Sequence, residues 1–161
     1  MIQLTDKQIE EFFRHSYKAV DGLWFVKVEE KYGFDVALQI DEQVWKILPK
    51  IQARMLKSMG NLGAGIEALL ECFTTKLFLE GFVFNIKKDG KGRGFTVIVE
   101  RCPWHELMVK SGKEKLSGKV GTCICNAEYQ VWATEFDKNI RLEIMEQICM
   151  NAQFCKLKFS F

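Results

Sequence analysis

The sequence predicts an α+β fold: a helical N-terminal half packed on a four-stranded antiparallel sheet made of two β-hairpins. Three observations predict it. Apolar residues recur at three- and four-residue spacing as far as Gly81. From Phe82 the period becomes an alternation, in "FVFNIKKDGKGRGFTVIVERC". A second alternating pair, "IRLEIMEQICM" and "FCKLKFSF", closes the chain.

The elements follow in order. Thr5 and Gln8 form a capping box ahead of Ile9, Phe12 and Phe13. The apolar spacing continues through Val20, Leu23, Trp24 and Val28 to Gly33, a residue suited to a left-handed cap. Gly22 weakens this helix by about 1 kcal/mol relative to alanine. A second helix is expected from an N-cap at Asp35, with Ala37, Ile40, Val44, Leu48, Ile51 and Met55 on one side. Pro49 removes a backbone donor and should kink or interrupt it. "GNLGAG" is a loop, and "IEALLECFTTKLFLEG" is a third amphipathic helix closed by Gly81. The first hairpin turns over Asp89 to Gly94. "PWHELMVKSG" is a short helix opened by Pro103. "GKVGTCICNAEYQVWATEF" reads as a longer helix despite its glycines.

The 161 residues suffice for one domain with a sizeable core. The expected organisation is a single domain over 1–161, helical over 1–81 and sheet-containing over 82–161. A formal net charge of +2 gives no field that would attract nucleic acid or an anionic membrane. No apolar run approaches the roughly 20 residues of a membrane span. The start of the chain lacks the layout of a signal peptide, so a cytoplasmic, reducing location is expected. There the six cysteines read as thiols or metal ligands rather than disulfides.

The cysteines carry the first functional reading. In the last hairpin, a register that sets Cys149 directly opposite Cys155 closes the loop over Asn151 to Gln153, with Met150 facing Phe154. Opposed residues lie ~4.5–5.5 Å apart at Cβ, close enough for two sulfurs to share one zinc. Glu146 joins them only if a bulge intervenes. The alternative is two small hydrophobes in a sheet. Cys102 ends a strand just before Pro103, where unpaired amides favour a thiolate. Cys123 falls with Val120, Ile124, Ala127 and Val131, a core pattern. Cys125 shares a helical stripe with Glu128, Tyr129 and Trp132, which reads equally as a pocket wall or as a mixed, partly exposed face. Cys72 reads as packing.

A second group is polar and aromatic. Asp21 and Trp24 share a face of the first helix, and Asp41 and Trp45 a face of the second. Such pairs suit the wall of a small-ligand cavity, although solvated helix edges look the same. No phosphate loop and no serine nucleophile elbow is present.

"SYKAVDGLWFVKVEEKYGFDVALQIDEQVWKILPKIQARMLK", "RCPWHELM", "CNAE" and "QFCKLKFSF" together resemble a group of small prokaryotic proteins allied to the amino-thiazoline-carboxylate hydrolases. The likeness covers nearly the whole chain. It implies ring opening of a small sulfur- and nitrogen-containing substrate by water, with a Cys-x-x-acid element matched by Cys125 and Glu128. The final cysteine ahead of alternating aromatics is matched by Cys155, Phe159 and Phe161. More distantly, the C-terminal half resembles the vinyl-reductase-type ligand-binding domain. That resemblance implies a structural zinc, matched here by Cys123 or Cys125, Glu146, Cys149 and Cys155; Cys102 joins them from the residue reading.

Three classes of function follow: a small-molecule-binding domain with a cysteine-based zinc site, a hydrolase opening a cyclic amidine or thiazoline with a metal-bound water or a thiolate, and a scaffold whose cysteines only pack. The expected partner is a small-molecule ligand, with a homodimer as a further expectation.

Overall fold

The structure, a computed structural model, describes residues 1–90 and 92–161. Lys91, inside the expected turn from Asp89 to Gly94, lies outside the described residues. The chain forms two compact units, Met1–Asp41 and Glu42–Phe161.

The first unit is built on α1 (Asp6–Tyr32). The capping box is present: the Gln8 amide donates to Thr5 Oγ1 at 3.3 Å, and the Thr5 amide donates to Gln8 Oε1 at 2.9 Å. Gly33 ends the helix with a positive φ of 87°, but its ψ is extended rather than left-handed helical. Phe25 and Phe34 meet edge to face at 5.9 Å. α2 (Phe34–Trp45) begins before Asp35, so Asp35 is a first-turn acid and not the N-cap.

The expected long second helix is two helices. α3 (Leu48–Met59) starts afresh after a turn at Lys46 and Ile47 and carries Pro49 in its first turn. There the missing amide costs nothing, because first-turn amides have no intrahelical partner. α4 (Ile66–Glu80) ends at Gly81, whose left-handed conformation lets its amide reach the Leu77 and Phe78 carbonyls. Then follow β1 (Val83–Lys88), β2 (Gly94–Arg101), α5 (Pro103–Lys110), α6 (Glu114–Phe136), β3 (Arg141–Glu146) and β4 (Cys155–Ser160).

The two hairpins join through an antiparallel β2–β4 ladder, giving the order β1-β2-β4-β3. Val97 faces Leu157, and Phe95 faces and stacks on Phe159. The fold is α+β. Alternation puts Phe95, Val97 and Val99 on the same face as Leu157 and Phe159, and α3, α4 and α6 share one core with them. Phe73 of α4 sits at its centre, edge-on to Tyr129, Trp132 and Phe159. Side chains buried to this degree contribute about 1.5–3 kcal/mol each. The change of period at Phe82 therefore falls inside a compact unit, because α3 and α4 belong to the sheet's core.

The last hairpin departs from expectation. β3 stops at Glu146, and a short 3-10 turn, Ile148–Met150, precedes β4. Cys149 therefore sits in the turn and does not face Cys155 across the ladder; Cys155 pairs with Val99 of β2. Asn151, with a left-handed φ of 67°, ends that 3-10 turn and lets the chain reverse into β4. A bulge does interrupt β3, between Ile144 and Glu146, and Glu146 lies half-buried opposite Lys156.

Candidate functional site

α4 is apolar along its inner face except at Lys76 and Glu80, one turn apart and both buried. Lys76 Nζ lies 3.1 Å from Glu80 Oε2 and 2.5 Å from Glu128 Oε1, which α6 brings from the far side. The Trp104 indole of α5 donates to Glu80 Oε2 at 3.1 Å. Trp45 covers Trp104 edge to face at 5.8 Å. The rings of Phe82 and Tyr129 complete the surround, each centred 5.4 Å from the ammonium. Burial opposes the charge on Lys76, but the Glu128 and Glu80 carboxylates outweigh it and its pKa is raised.

The thiols lie beside this triad. Gly118, Gly121, Cys125, Glu128, Tyr129 and Trp132 fall on one face of α6. The two glycines form a notch for the 3-10 turn: a Cβ on Gly121 would meet Cys149 Sγ at 2.5 Å, and one on Gly118 would meet the Cys149 carbonyl at 3.0 Å. Cys125 lies near Cys102, Glu128, Cys149 and Cys155. The Cys155 sulfur accepts the Ile148 amide at 3.3 Å. Cys102, Cys125 and Cys155 pack against the core and keep little exposed surface, with the Cys102 and Cys125 sulfurs desolvated. Cys149 is half-buried in the turn, and Glu128 and Lys76 are buried.

The expected thiolate at Cys102 is corrected. Backbone groups of His105 and Trp104 do favour it, as a helix start should, but burial dominates and pushes the thiol up to about 12. Burial likewise raises Cys125 well above its ordinary value, and raises Cys149 and Cys155. The core reading of the Cys123 face is corrected too. Ile124 is buried, but Cys123, Val120, Ala127 and Val131 are only half-buried, while the Tyr129 and Trp132 side of α6 faces the sheet core. Cys72 is buried in that core.

The remaining expected residues divide between the units. Asp21, Trp24 and Asp41 belong to the first, where Trp24 is exposed and the two acids are half-buried. Trp45, Cys125, Glu128, Tyr129 and Trp132 belong to the second, and all but Cys125 are buried there. Lys76, Glu80 and Trp104 were not singled out from the sequence. The signal for the first two was present: in "IEALLECFTTKLFLE" they stand at i, i+4 on the stripe that also holds Leu69, Phe73 and Leu77.

Four soft donors from a strand end, a helix and a turn suit zinc in kind. As the side chains stand, no three His, Cys, Asp or Glu among the described residues form a metal-holding group. No helix among the described residues is long and apolar enough to cross a membrane.

Fold and site together define a small α+β domain with a buried carboxylate–lysine–carboxylate triad flanked by thiols. The chain belongs to the family of unknown function DUF6125, whose match runs over residues 4–161. Among curated proteins, none matches.

Proposed function

We propose that this protein is a small-molecule-binding domain whose ligand enters between the thiols and reaches the buried triad. The observation that carries the reading is Lys76 held between Glu80 and Glu128 in an otherwise apolar core. Burying charges costs several kcal/mol per ion, and apolar residues of the same size stabilise a core at least as well. Two carboxylates against one ammonium also carry an excess negative charge when both are ionised. A ligand rich in N–H donors, such as an amine or amidine, supplies the complement.

The test is thermal denaturation of the full chain with benzamidine, small alkylamines and, as controls, small carboxylates. The amidine should raise Tm for the parent protein and not for Glu128→Gln, with helix content equal by circular dichroism. Equal shifts with the carboxylates, or with the variant, would remove the reading. Turnover of a thiazoline or cyclic amidine by the same protein would extend it to the hydrolase that the resemblance implies.

A zinc site is a second reading, favoured by the placing of four thiols around one region: Cys102 at a strand end, Cys125 on α6, Cys149 in the turn seated on Gly121, and Cys155, whose sulfur accepts the Ile148 amide. It requires the thiols to draw together, with zinc supplying a cross-link between turn, helix and strand end. Zinc near one equivalent in protein purified without chelator, lost in Cys125→Ser, supports it; metal-free protein that folds normally sinks it.

A further inference from the structure

α1 carries an apolar stripe that its own unit leaves uncovered. Phe12, Phe13, Val20, Leu23 and Trp24 are each 60–67% exposed, and Ile9 continues the line. Ile9, Phe13, Ser16, Val20, Leu23 and Lys27 follow alternating four- and three-residue steps, the spacing of a helix seam. Phe12 and Trp24 flank that seam on opposite sides. Tyr17, Asp21, Phe25 and Val28, on the other face, are partly or fully buried. The helix is thus apolar on the side that a lone surface helix keeps polar.

We infer that this stripe is a homodimer interface, in which α1 packs antiparallel against α1 of a second copy. Charge selects both the occupant and the direction. The stripe is bordered by Asp6 at its N-terminal end and by Lys31 at its C-terminal end, on the same flank. A two-fold axis across the middle of the helix brings each Asp6 to the other copy's Lys31. The same operation sets Phe13 opposite Trp24, Phe12 near Leu23, and Val20 beside Ser16 at the axis. Antiparallel macrodipoles add to the fit. A parallel pair would instead stack Asp6 on Asp6 and Lys31 on Lys31.

The area is of the right size. Three aromatics of 150–250 Å² and three aliphatics, more than half exposed on average, present roughly 600–700 Å² of apolar surface. A stable interface buries about 800 Å² per partner, and the largest apolar patch on a monomer is about 300–600 Å². Stems of the flanking charged residues supply the difference.

Sedimentation velocity of the full chain at micromolar concentration tests the inference. The parent should sediment as a dimer. Phe13→Glu with Leu23→Glu should give a monomer with unchanged helix content. Asp6→Lys alone should weaken the dimer about threefold, as should Lys31→Glu alone, and the two together in one chain should restore it. A monomeric parent would overturn the inference, whether the stripe is covered by the chain's own second unit or binds vesicles of phosphatidylcholine and phosphatidylglycerol. So would a dimer that survives the Phe13/Leu23 change, or a charge swap that fails to restore what the single changes lose.

Discussion

The sulfur of Cys149 occupies the space that a side chain at Gly121 would need: a Cβ there would stand 2.5 Å from Cys149 Sγ and 3.5 Å from its Cβ. α6 thus keeps a glycine mid-helix, at a propensity cost of about 1 kcal/mol, so that the turn before β4 can seat against it. Relieving the contact requires Cys149 to turn about its single side-chain torsion or the turn to shift, because the Cys149 Cβ already stands in ordinary contact at 3.5 Å.

Gly121→Ala should therefore destabilise the protein. Overpacking costs about 1–3 kcal/mol and the better helix former returns about 1, leaving a net loss of ~1 kcal/mol. Urea denaturation measures it. Trimming the obstacle in Cys149→Ala should make the alanine at 121 harmless or favourable, so the double-mutant cycle should show a coupling of about 1 kcal/mol. Additive effects would mean that the helix and the turn do not meet as described.

The elements whose boundaries depend on local chemistry were legible in the sequence. The Thr5–Gln8 box, the Gly81 cap and both hairpins each rest on interactions spanning a few residues. Joining those hairpins into one sheet followed from the need to cover two amphipathic ribbons. The face of α6 was legible as a set of residues but not as a direction. Its Cys123 stripe, with Val120, Ile124, Ala127 and Val131, is the more apolar of the two, yet the Cys125 stripe turns inward because Tyr129 and Trp132 pack on Phe73 and Glu128 pairs with Lys76. Cys149 was misplaced because strand alternation in "IRLEIMEQICM" extends past Glu146, while the 3-10 turn is fixed by the glycine notch 28 residues earlier on α6 (Gly121 to Cys149). The ion triad was hidden for the same reason. Glu128 meets Lys76 only after two helices have packed.

The thiols should be slow nucleophiles. Burial pushes Cys102 up to about 12 and also raises Cys125 well above its ordinary value. At pH 8 a thiol at that level has a thiolate fraction roughly a thousandfold below that of an ordinary cysteine near 9. Alkylation by iodoacetamide, read by mass spectrometry at each cysteine, should leave Cys102 and Cys125 unmodified long after an unstructured thiol has reacted. Urea should abolish the protection. Rapid modification of either residue in folded protein would mean that a nearby cation, ligand or movement offsets the burial.

The same cysteines make stability fall in alkali. Their folded-state pKa values are raised, so their contribution is intact below the ordinary value of 9.0 and declines as pH rises toward about 12 for Cys102. Cys102→Ala should flatten that part of the stability–pH curve. An unchanged slope between pH 9 and 11 would show that Cys102 is not the group responsible.

Lys76 gives the largest expected effect. Lys76→Met leaves Glu80 and Glu128 facing each other without their cation, and breaking a buried pair from one side costs about 3–5 kcal/mol. Lys76→Met with Glu80→Gln and Glu128→Gln removes all three charges and should recover most of that loss in urea denaturation. The recovery separates a charge effect from a packing effect, because the methionine is common to both proteins. The pH dependence has a fixed sign as well. The folded-state pKa of Lys76 is raised above 10.5, so the folded protein holds a proton that the unfolded chain releases above that value. Its stabilisation is complete below pH 10.5 and falls as pH rises toward the folded-state value. Lys76→Met should decline less steeply than the parent above pH 10.5, keeping only the part that the buried thiols contribute. If the triple variant is no more stable than Lys76→Met, or if both proteins lose stability in parallel above pH 10.5, the ammonium is not what holds the two carboxylates in the core.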